Sequence, residues 1–185
     1  MQHLTDILIK ATRSIEPPYF KLHIAGGDPI YRERVYCYEL YHQMRRRWPK
    51  GSAFFLNGEV DKAAHPILGQ LGADRSKPDF LVHQPGSMQG NYAIIEVKSS
   101  NAESNDIRKD LQTLSLFSTR LAYKRAIFLL FGDMTDNELI RKIDRLSAGI
   151  PNLALVEVWL HAAPRSPARH VCLLSPLNQQ GMLNL

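Results

Sequence analysis

Cysteine is scarce in this chain, which has only Cys37 and Cys172 among its 185 residues. Two cysteines in separate apolar stretches are too few for a disulfide framework or a cysteine-rich zinc site. We therefore expect buried free thiols and a cytoplasmic location. Internal repeats are absent as well, which argues against a solenoid or another repeat architecture.

Long apolar runs are also missing. The chain has no apolar stretch of about 18 residues, the length that a membrane-spanning helix needs, and no signal-peptide pattern at its start. We expect no association with membranes. Zinc-finger, helix-turn-helix and aromatic RNA-binding motifs are not recognisable either. Any sequence specificity should therefore come from loops such as residues 84–90, from a homodimer or from a partner protein.

Positive charge is modestly in excess. The formal net charge of +5 permits binding to nucleic acid without requiring it. The densest basic cluster contains Arg45, Arg46 and Arg47, which could contact phosphates. The same residues at the end of a helix would complement the helix dipole, so both interpretations stay open.

Two neighbouring segments favour β-strands. Residues 77–83 and 91–98 are rich in Phe, Val, Ile and Leu. Residues 84–90, between them, contain the Pro-Gly pair and polar residues typical of turns. The pattern predicts an antiparallel hairpin.

The hairpin predicts a register and, with it, a cluster of charges. If the turn is centred near residues 87 and 88, Phe80 lies opposite Ile95, and Asp79 lies opposite Glu96. Because side chains alternate along a strand, Asp79, Glu96 and Lys98 then share one face.

Two opposed carboxylates in a sheet repel each other, and burial raises that cost. The surrounding side chains are apolar on both faces of the hairpin, so we expect both faces to be covered. A divalent cation such as Mg²⁺ would relieve the repulsion, because it prefers hard oxygen ligands. The alternative is a solvent-exposed strand end at which Lys98 pairs with Glu96 or Asp79.

Pro78-Asp79, followed after residues 80–95 by Glu96-Val97-Lys98, resembles the signature of the PD-(D/E)xK nuclease superfamily. With its flanking elements the resemblance covers about residues 31–131. It implies a restriction-endonuclease-like fold, a mixed sheet with an αβββαβ core flanked by helices. It also implies that Asp79 and Glu96 bind Mg²⁺ or Mn²⁺ and that Lys98 lies near the attacking water and the scissile phosphate.

These residue types suit the hydrolysis of a phosphodiester. The substrate is an anion that repels a nucleophile, and a cation held by Asp79 and Glu96 would polarise it and lower the pKa of a bound water. Lys98 could orient that water or neutralise charge in the transition state.

The resemblance implies further, less central site residues. An acidic residue on the helix before the first strand would be Glu39, which could instead pair with arginines on its own helix. A glutamine on the helix after the motif would be Gln112, and Arg108 lies on the same polar stripe as a candidate phosphate contact. A solvated helix face is the alternative for both. Glu59 and Asp61 could add a ligand or hold Lys62 at a strand end.

The alternation of strand and helix patterns predicts an α/β fold in a single domain of residues 1–185. An N-terminal helix and C-terminal strands are expected as additions to the core. The predicted helices are residues 4–15, 31–46, 106–122 and 135–147, and the predicted strands are residues 53–62, 77–83, 91–98, 125–131, 153–160 and 170–174.

The sequence as a whole predicts a metal-dependent nuclease that acts on DNA, in restriction, repair or defence. A catalytically silent subunit of the same fold, which binds nucleic acid or joins an assembly, is the alternative. A carboxylate metal site that serves another hydrolysis is a third and weaker interpretation.

Overall fold

The computed structural model describes residues 3–59 and 77–175. Its helices and strands, in chain order, are α1 (Leu4–Thr12), α2 (Pro17–Phe20), β1 (Leu22–Ile24), β2 (Gly27–Ile30), α3 (Glu33–Arg46), β3 (Phe55–Gly58), β4 (Phe80–His83), β5 (Asn91–Ser99), α4 (Ser104–Arg120), β6 (Arg125–Phe131), α5 (Asp136–Ser147), β7 (Val156–His161) and β8 (Arg169–Leu174).

A mixed sheet of six strands, in the order β3-β4-β5-β6-β7-β8, forms the centre of the described part. The strands from β3 to β5 pair antiparallel, β6 runs parallel to both β5 and β7, and β8 returns antiparallel at the edge. The fold is therefore α/β with helices on both faces, as the sequence predicts.

The predicted hairpin register is confirmed. Phe80 pairs with Ile95, and Leu81 pairs with Ile94. A register shift follows between Val82 and the next residue, so the irregularity lies toward the turn and away from Asp79.

Both faces of the sheet are covered, as the apolar pattern predicts. On one face Phe80, Ile95 and Val97 pack against α1 and α3. On the other face Leu81 and Ile94 pack against α4 and α5. Glu96 and Lys98 share the parity of Ile94, so they extend from β5 on the α4 side.

Local sequence signals explain several of the element boundaries. The apolar run of β6 becomes a buried central strand over the predicted residues Arg125–Phe131. Helix α5 begins at a capping box, in which Thr135 Oγ1 accepts from the N–H of Glu138 and the Glu138 carboxylate accepts from the N–H of Thr135. Helix α2 and the β1-β2 hairpin have no counterpart among the predicted elements.

None of the helices in residues 3–59 and 77–175 combines the length and the apolar character needed to cross a bilayer.

Gly132 allows the ends of β5 and β6 to approach each other. Its φ of +125° suits glycine, and a Cβ there would overlap the side chain of Ser100 and lie 3.1 Å from the Tyr31 ring. We expect Gly132→Ala to lower the free energy of unfolding by about 3 kcal/mol, measured by urea denaturation.

Gly26→Ala is the matched control, because Gly26 also has a positive φ, +76°, but a Cβ there meets open space. It should cost only about 1 kcal/mol of backbone strain. Equal losses in the two variants would contradict the role assigned to the close approach at Gly132.

Candidate functional site

Several chain segments meet where strand β4 starts and strand β5 ends. Strand β4 begins directly after Asp79, and the antiparallel register places this start beside the end of β5, where Glu96 and Lys98 lie. The connection from β5 to the parallel strand β6 starts at the same place, and α4 forms part of it. The first turn of α3 reaches these strand ends through Glu33, which contacts Lys98.

Asp79 and Glu96 are linked through the backbone of the hairpin. The N–H of Val97 donates to Asp79 Oδ2 at 2.7 Å, and the N–H of Asp79 donates to Glu96 Oε2 at 3.4 Å. Glu96 is only 5% exposed, and Asp79 is half-buried. The two carboxyl groups are therefore neighbours, as the hairpin register predicts.

Lys98 forms ion pairs with two acidic residues that come from different helices. Its Nζ lies 2.8 Å from Glu33 Oε1 of α3 and 3.1 Å from Asp110 Oδ2 of α4. The Lys98 side chain is 13% exposed. The strand end is thus buried, and these contacts differ from the pairing of Lys98 with Glu96 or Asp79 that the sequence left open.

Burial raises the pKa of Asp79 from its ordinary 3.8 to about 7, and the charges of Glu33 and Asp110 add to this rise. A backbone hydrogen bond and the Lys98 ammonium act in the opposite direction. Burial also raises the pKa of Glu96 well above its ordinary value, with Asp110 and Asp79 as the next causes. Both carboxyl groups therefore hold protons more tightly than solvated ones do.

The pKa values of Asp110 and Lys98 are shifted as well. Burial raises the pKa of Asp110 to about 6, against the lowering effect of Lys98. For Lys98, burial alone would lower the pKa, but the carboxylates of Asp110 and Glu33 outweigh it and raise the pKa above its ordinary value. Lys98 is therefore a cation through the neutral range, suited to neutralising anionic charge rather than to accepting a proton.

We call Glu33, Asp79, Glu96 and Asp110 the acidic cluster. Two of its four carboxyl groups contact the ammonium of Lys98, so full ionisation leaves an excess of negative charge in this partly buried site. Such an excess is costly in a poorly hydrated site. A bound cation would remove the cost.

The chemistry of the donors fits a hard divalent cation. Asp79 and Glu96 offer carboxylate oxygens, the ligands that Mg²⁺ prefers. Within residues 3–59 and 77–175, no group of three or more His, Cys, Asp or Glu side chains is arranged to hold a metal ion by itself. Mg²⁺ is commonly held by only one or two carboxylates, with water and substrate phosphate as its other ligands, and the pair fits that pattern.

Several cavities of the described part reach the acidic cluster from outside. One, of about 490 Å³, is lined by Glu33, Lys98 and Asp110 among others. Another, of about 220 Å³, is lined by Glu33, Asp79, Arg34 and Lys77 among others. A ligand can therefore approach the cluster through more than one cavity.

Glu39 and Gln112, the two residues implied by the resemblance, lie away from these contacts. Glu39 Oε1 accepts from Gln43 Nε2 at 2.7 Å. Gln43 in turn accepts from Arg47, whose guanidinium donates to Ser14 beyond α1. Gln112 is exposed on α4. The structure does not bring either residue into contact with the acidic cluster.

The candidate phosphate-binding arginines are also distant or engaged. Arg45 and Arg46 are exposed at the end of α3, a helix of 14 residues whose first residue belongs to the acidic cluster. That length separates them from the cluster by about 18 Å. Arg108 Nη1 donates to the carbonyls of Leu146 and Ala148 at the end of α5, so its guanidinium caps a helix.

Glu59 lies close to the site without joining the acidic cluster. Its N–H donates to the carbonyl of Asp79 at 3.1 Å, and its carboxylate lies 3.7 Å from Arg34 Nε in a largely exposed pair. Asp61 and Lys62, which the sequence groups with Glu59, lie outside the described residues.

Sequence reasoning missed Glu33 and Asp110, although both interrupt apolar stripes. Glu33 precedes Cys37 by one turn and extends the apolar stripe of α3 toward its start. Asp110 lies among the buried side chains of α4, between Ile107 and Leu111. A carboxylate on the buried stripe of a helix is the signal that could have found them.

Comparison with protein-family models, with curated proteins and with solved structures gives no match to this chain. The interpretation of the acidic cluster therefore rests on its geometry and on the resemblance of the motif.

The raised pKa values predict how stability depends on pH in the metal-free protein. Asp79 has a folded pKa of about 7, above its ordinary 3.8. The folded state thus binds more protons than the unfolded state between these values, and this contribution to stability is lost as pH rises through 7. We expect the free energy of unfolding, measured with urea, to fall by up to about 1.4 kcal/mol per pH unit for each such proton.

Asp79→Asn should remove part of this slope, whereas Asp6→Asn, at an exposed position of α1, should leave it unchanged. Mg²⁺ should stabilise the wild type more at pH 8 than at pH 5.5, because protons and the cation compete for the same oxygens. Identical slopes in the wild type and Asp79→Asn would contradict the assignment.

Proposed function

We propose that this protein is a nuclease dependent on Mg²⁺ or Mn²⁺ that hydrolyses phosphodiester bonds in DNA. The observation that carries the proposal is the pair of neighbouring carboxyl groups of half-buried Asp79 and buried Glu96, near the ammonium of Lys98 in a cluster with more carboxyl groups than cations. Two ionised carboxylates side by side in a poorly hydrated site are costly, and a metal-dependent reaction gives such a pair a use.

In this proposal each residue has a defined part. Asp79 and Glu96 would hold the cation through their carboxylate oxygens. When bound, the cation would polarise the phosphate and lower the pKa of a water ligand. Lys98, in contact with Glu33 and Asp110, would neutralise negative charge that develops on the phosphate oxygens.

The order of the elements supports a restriction-endonuclease-like fold as part of the proposal. Among the described residues, helix α3, strands β3, β4 and β5, helix α4 and strand β6 occur in the order αβββαβ. Helix α1 and strands β7 and β8 would then be additions to that core.

A cellular setting completes the proposal. The net charge of +5 favours an anionic partner, and the unpaired cysteines Cys37 and Cys172 favour a reducing cytoplasm. We place the activity in restriction, repair or defence. Sequence specificity would come from a homodimer or a partner protein.

A second candidate is a catalytically silent subunit that binds nucleic acid or joins an assembly. The observation in its favour is that the described residues hold no metal-binding group of three or more side chains. The raised pKa values of Asp79 and Glu96 would then mark carboxyl groups that remain protonated.

A cleavage assay on plasmid, linear and single-stranded DNA separates the two candidates. We expect cleavage with Mg²⁺ or Mn²⁺ and none with EDTA. Asp79→Ala, Glu96→Ala and Lys98→Ala should each lower the rate at least about a hundredfold, because each removes a group that stabilises the transition state.

Asp6→Ala, which removes an exposed carboxylate from α1, is the matched control and should cleave like the wild type. Circular dichroism must show that every variant is folded. Full activity in Glu96→Ala would refute the mechanism. A folded wild type that binds DNA but cleaves none of these substrates would instead favour the silent subunit.

Glu33 and Glu39 provide a separate test of the site, because both are acidic residues of α3. Glu33→Ala removes a partner of Lys98 and should reduce kcat about tenfold, the typical worth of a positioned, charged hydrogen bond. Glu39→Ala removes a carboxylate bonded to Gln43 and should leave kcat within about twofold of wild type. The reverse ranking in the cleavage assay would restore Glu39 as the site residue.

A further inference from the structure

A further surface feature adjoins Asp79. It is a cavity of about 380 Å³, lined by Tyr38, Tyr41, Asn57, Glu59, Asp79 and Phe80 among others. We call it the aromatic cavity. Its volume lies in the range of small-molecule sites.

The two tyrosines of the aromatic cavity differ in their exposure and contacts. Tyr41 is half-buried, its hydroxyl donates to the carbonyl of Leu56 at 3.3 Å, and its ring stacks on Phe80 with 6.3 Å between centroids and 15° between planes. Tyr38 is three residues earlier on α3 and is 61% exposed. A fixed aromatic wall therefore stands beside an aromatic side chain that is open to a ligand.

The charges of the lining define what the aromatic cavity can accept. Glu59 and Asp79 are its only charged members among the described residues, and both are acidic. Because no cation is among these lining residues, the aromatic cavity itself favours a neutral planar group over an anionic one. Asn57, whose Oδ1 accepts from His83 Nε2 at 3.0 Å, adds an amide that can hydrogen-bond to the edge of such a group.

The adjoining cavity of about 220 Å³ has a different lining. It shares Cys37, Glu59 and Asp79 with the aromatic cavity, and it adds Glu33 and the cationic side chains Arg34 and Lys77. Two cations thus line one cavity at Asp79, and aromatic rings line the other. A nucleotide has the same division between an anionic phosphate and a flat, neutral base.

We propose that the aromatic cavity binds an unpaired base of the DNA strand whose phosphate lies at Asp79, with Tyr38 stacking on that base. The inference rests on the proposed nuclease function, because Asp79 is the shared wall. It assigns a substrate class, single-stranded or locally unpaired DNA, since a base inside a duplex cannot enter a side pocket.

Binding of a single-stranded oligodeoxynucleotide that carries 2-aminopurine tests the proposal. The experiment is run in EDTA, so that the strand stays intact, and it compares the single strand with its duplex by anisotropy and by 2-aminopurine fluorescence. The wild type should prefer the single strand and quench the fluorescence. Tyr38→Ala should weaken binding of the single strand about tenfold or more and abolish the quenching, as expected when one stacked base is lost.

Tyr38→Phe keeps the ring and should bind and quench like the wild type. If the hydroxyl of Tyr38 were the important group, Tyr38→Phe would instead lose both signals. Tyr19→Ala removes another exposed tyrosine, 44% accessible on α2, and should behave like the wild type. Unchanged binding and quenching in Tyr38→Ala would overturn the proposal, as would a preference for the duplex. Unchanged binding and quenching in Tyr38→Ala is the result expected if the aromatic cavity instead binds a protein partner.

The outcomes also separate this inference from the proposed function. If Tyr38→Ala has no effect on single-strand binding while cleavage still requires Asp79, the base site fails and the nuclease stands. If binding and quenching depend on Tyr38 but no metal-dependent cleavage occurs, the base site stands and the nuclease fails.

Discussion

The contact of the Lys98 ammonium with Glu33 and Asp110 is the interaction on which the candidate site depends. It joins β5 to α3 and to α4 at distances of 2.8 and 3.1 Å. Buried carboxylates need a cation, so removing the Lys98 ammonium would leave two carboxylates without their ion-pair partner. The same ammonium lowers the electrostatic cost of ionising Asp79 and Glu96. The acidic cluster can therefore persist in the folded protein and still attract a further cation.

The sheet makes this arrangement possible because strand pairing changes from antiparallel to parallel at β5. Antiparallel pairing with β4 places Asp79 beside Glu96, and parallel pairing with β6 sends the chain through α4, which carries Asp110. Apolar packing on both faces holds β5 rigidly in the centre. Carboxyl groups on such strands and helices keep their positions better than groups on loops. The aromatic cavity lies where β3, α3 and Asp79 meet, so it shares this support.

Much of the fold was predictable because its signals are local. The hairpin register, the buried run of β6 and the capping box of α5 each depend on residues close together in the chain. Helix α2 and the β1-β2 hairpin were not predicted, because elements of three or four residues leave little periodicity to recognise. On α3 the sequence predicted a site role for Glu39, whereas the structure brings Glu33 to Lys98. The face that a helix turns toward a sheet is decided by packing, which the sequence of the helix alone does not determine.

The sequence by itself determined the strand pattern, the neighbouring positions of Asp79 and Glu96, and the motif on which the proposed phosphodiester chemistry rests. These features follow from alternation along two strands joined by a short turn. Only the tertiary structure decided which carboxylates contact Lys98, and which aromatic residues border Asp79. Lys98 and Glu33 are 65 positions apart, and Tyr38 and Asp79 come from different elements. Contacts over such separations depend on how α3 packs against the whole sheet, which no local pattern encodes.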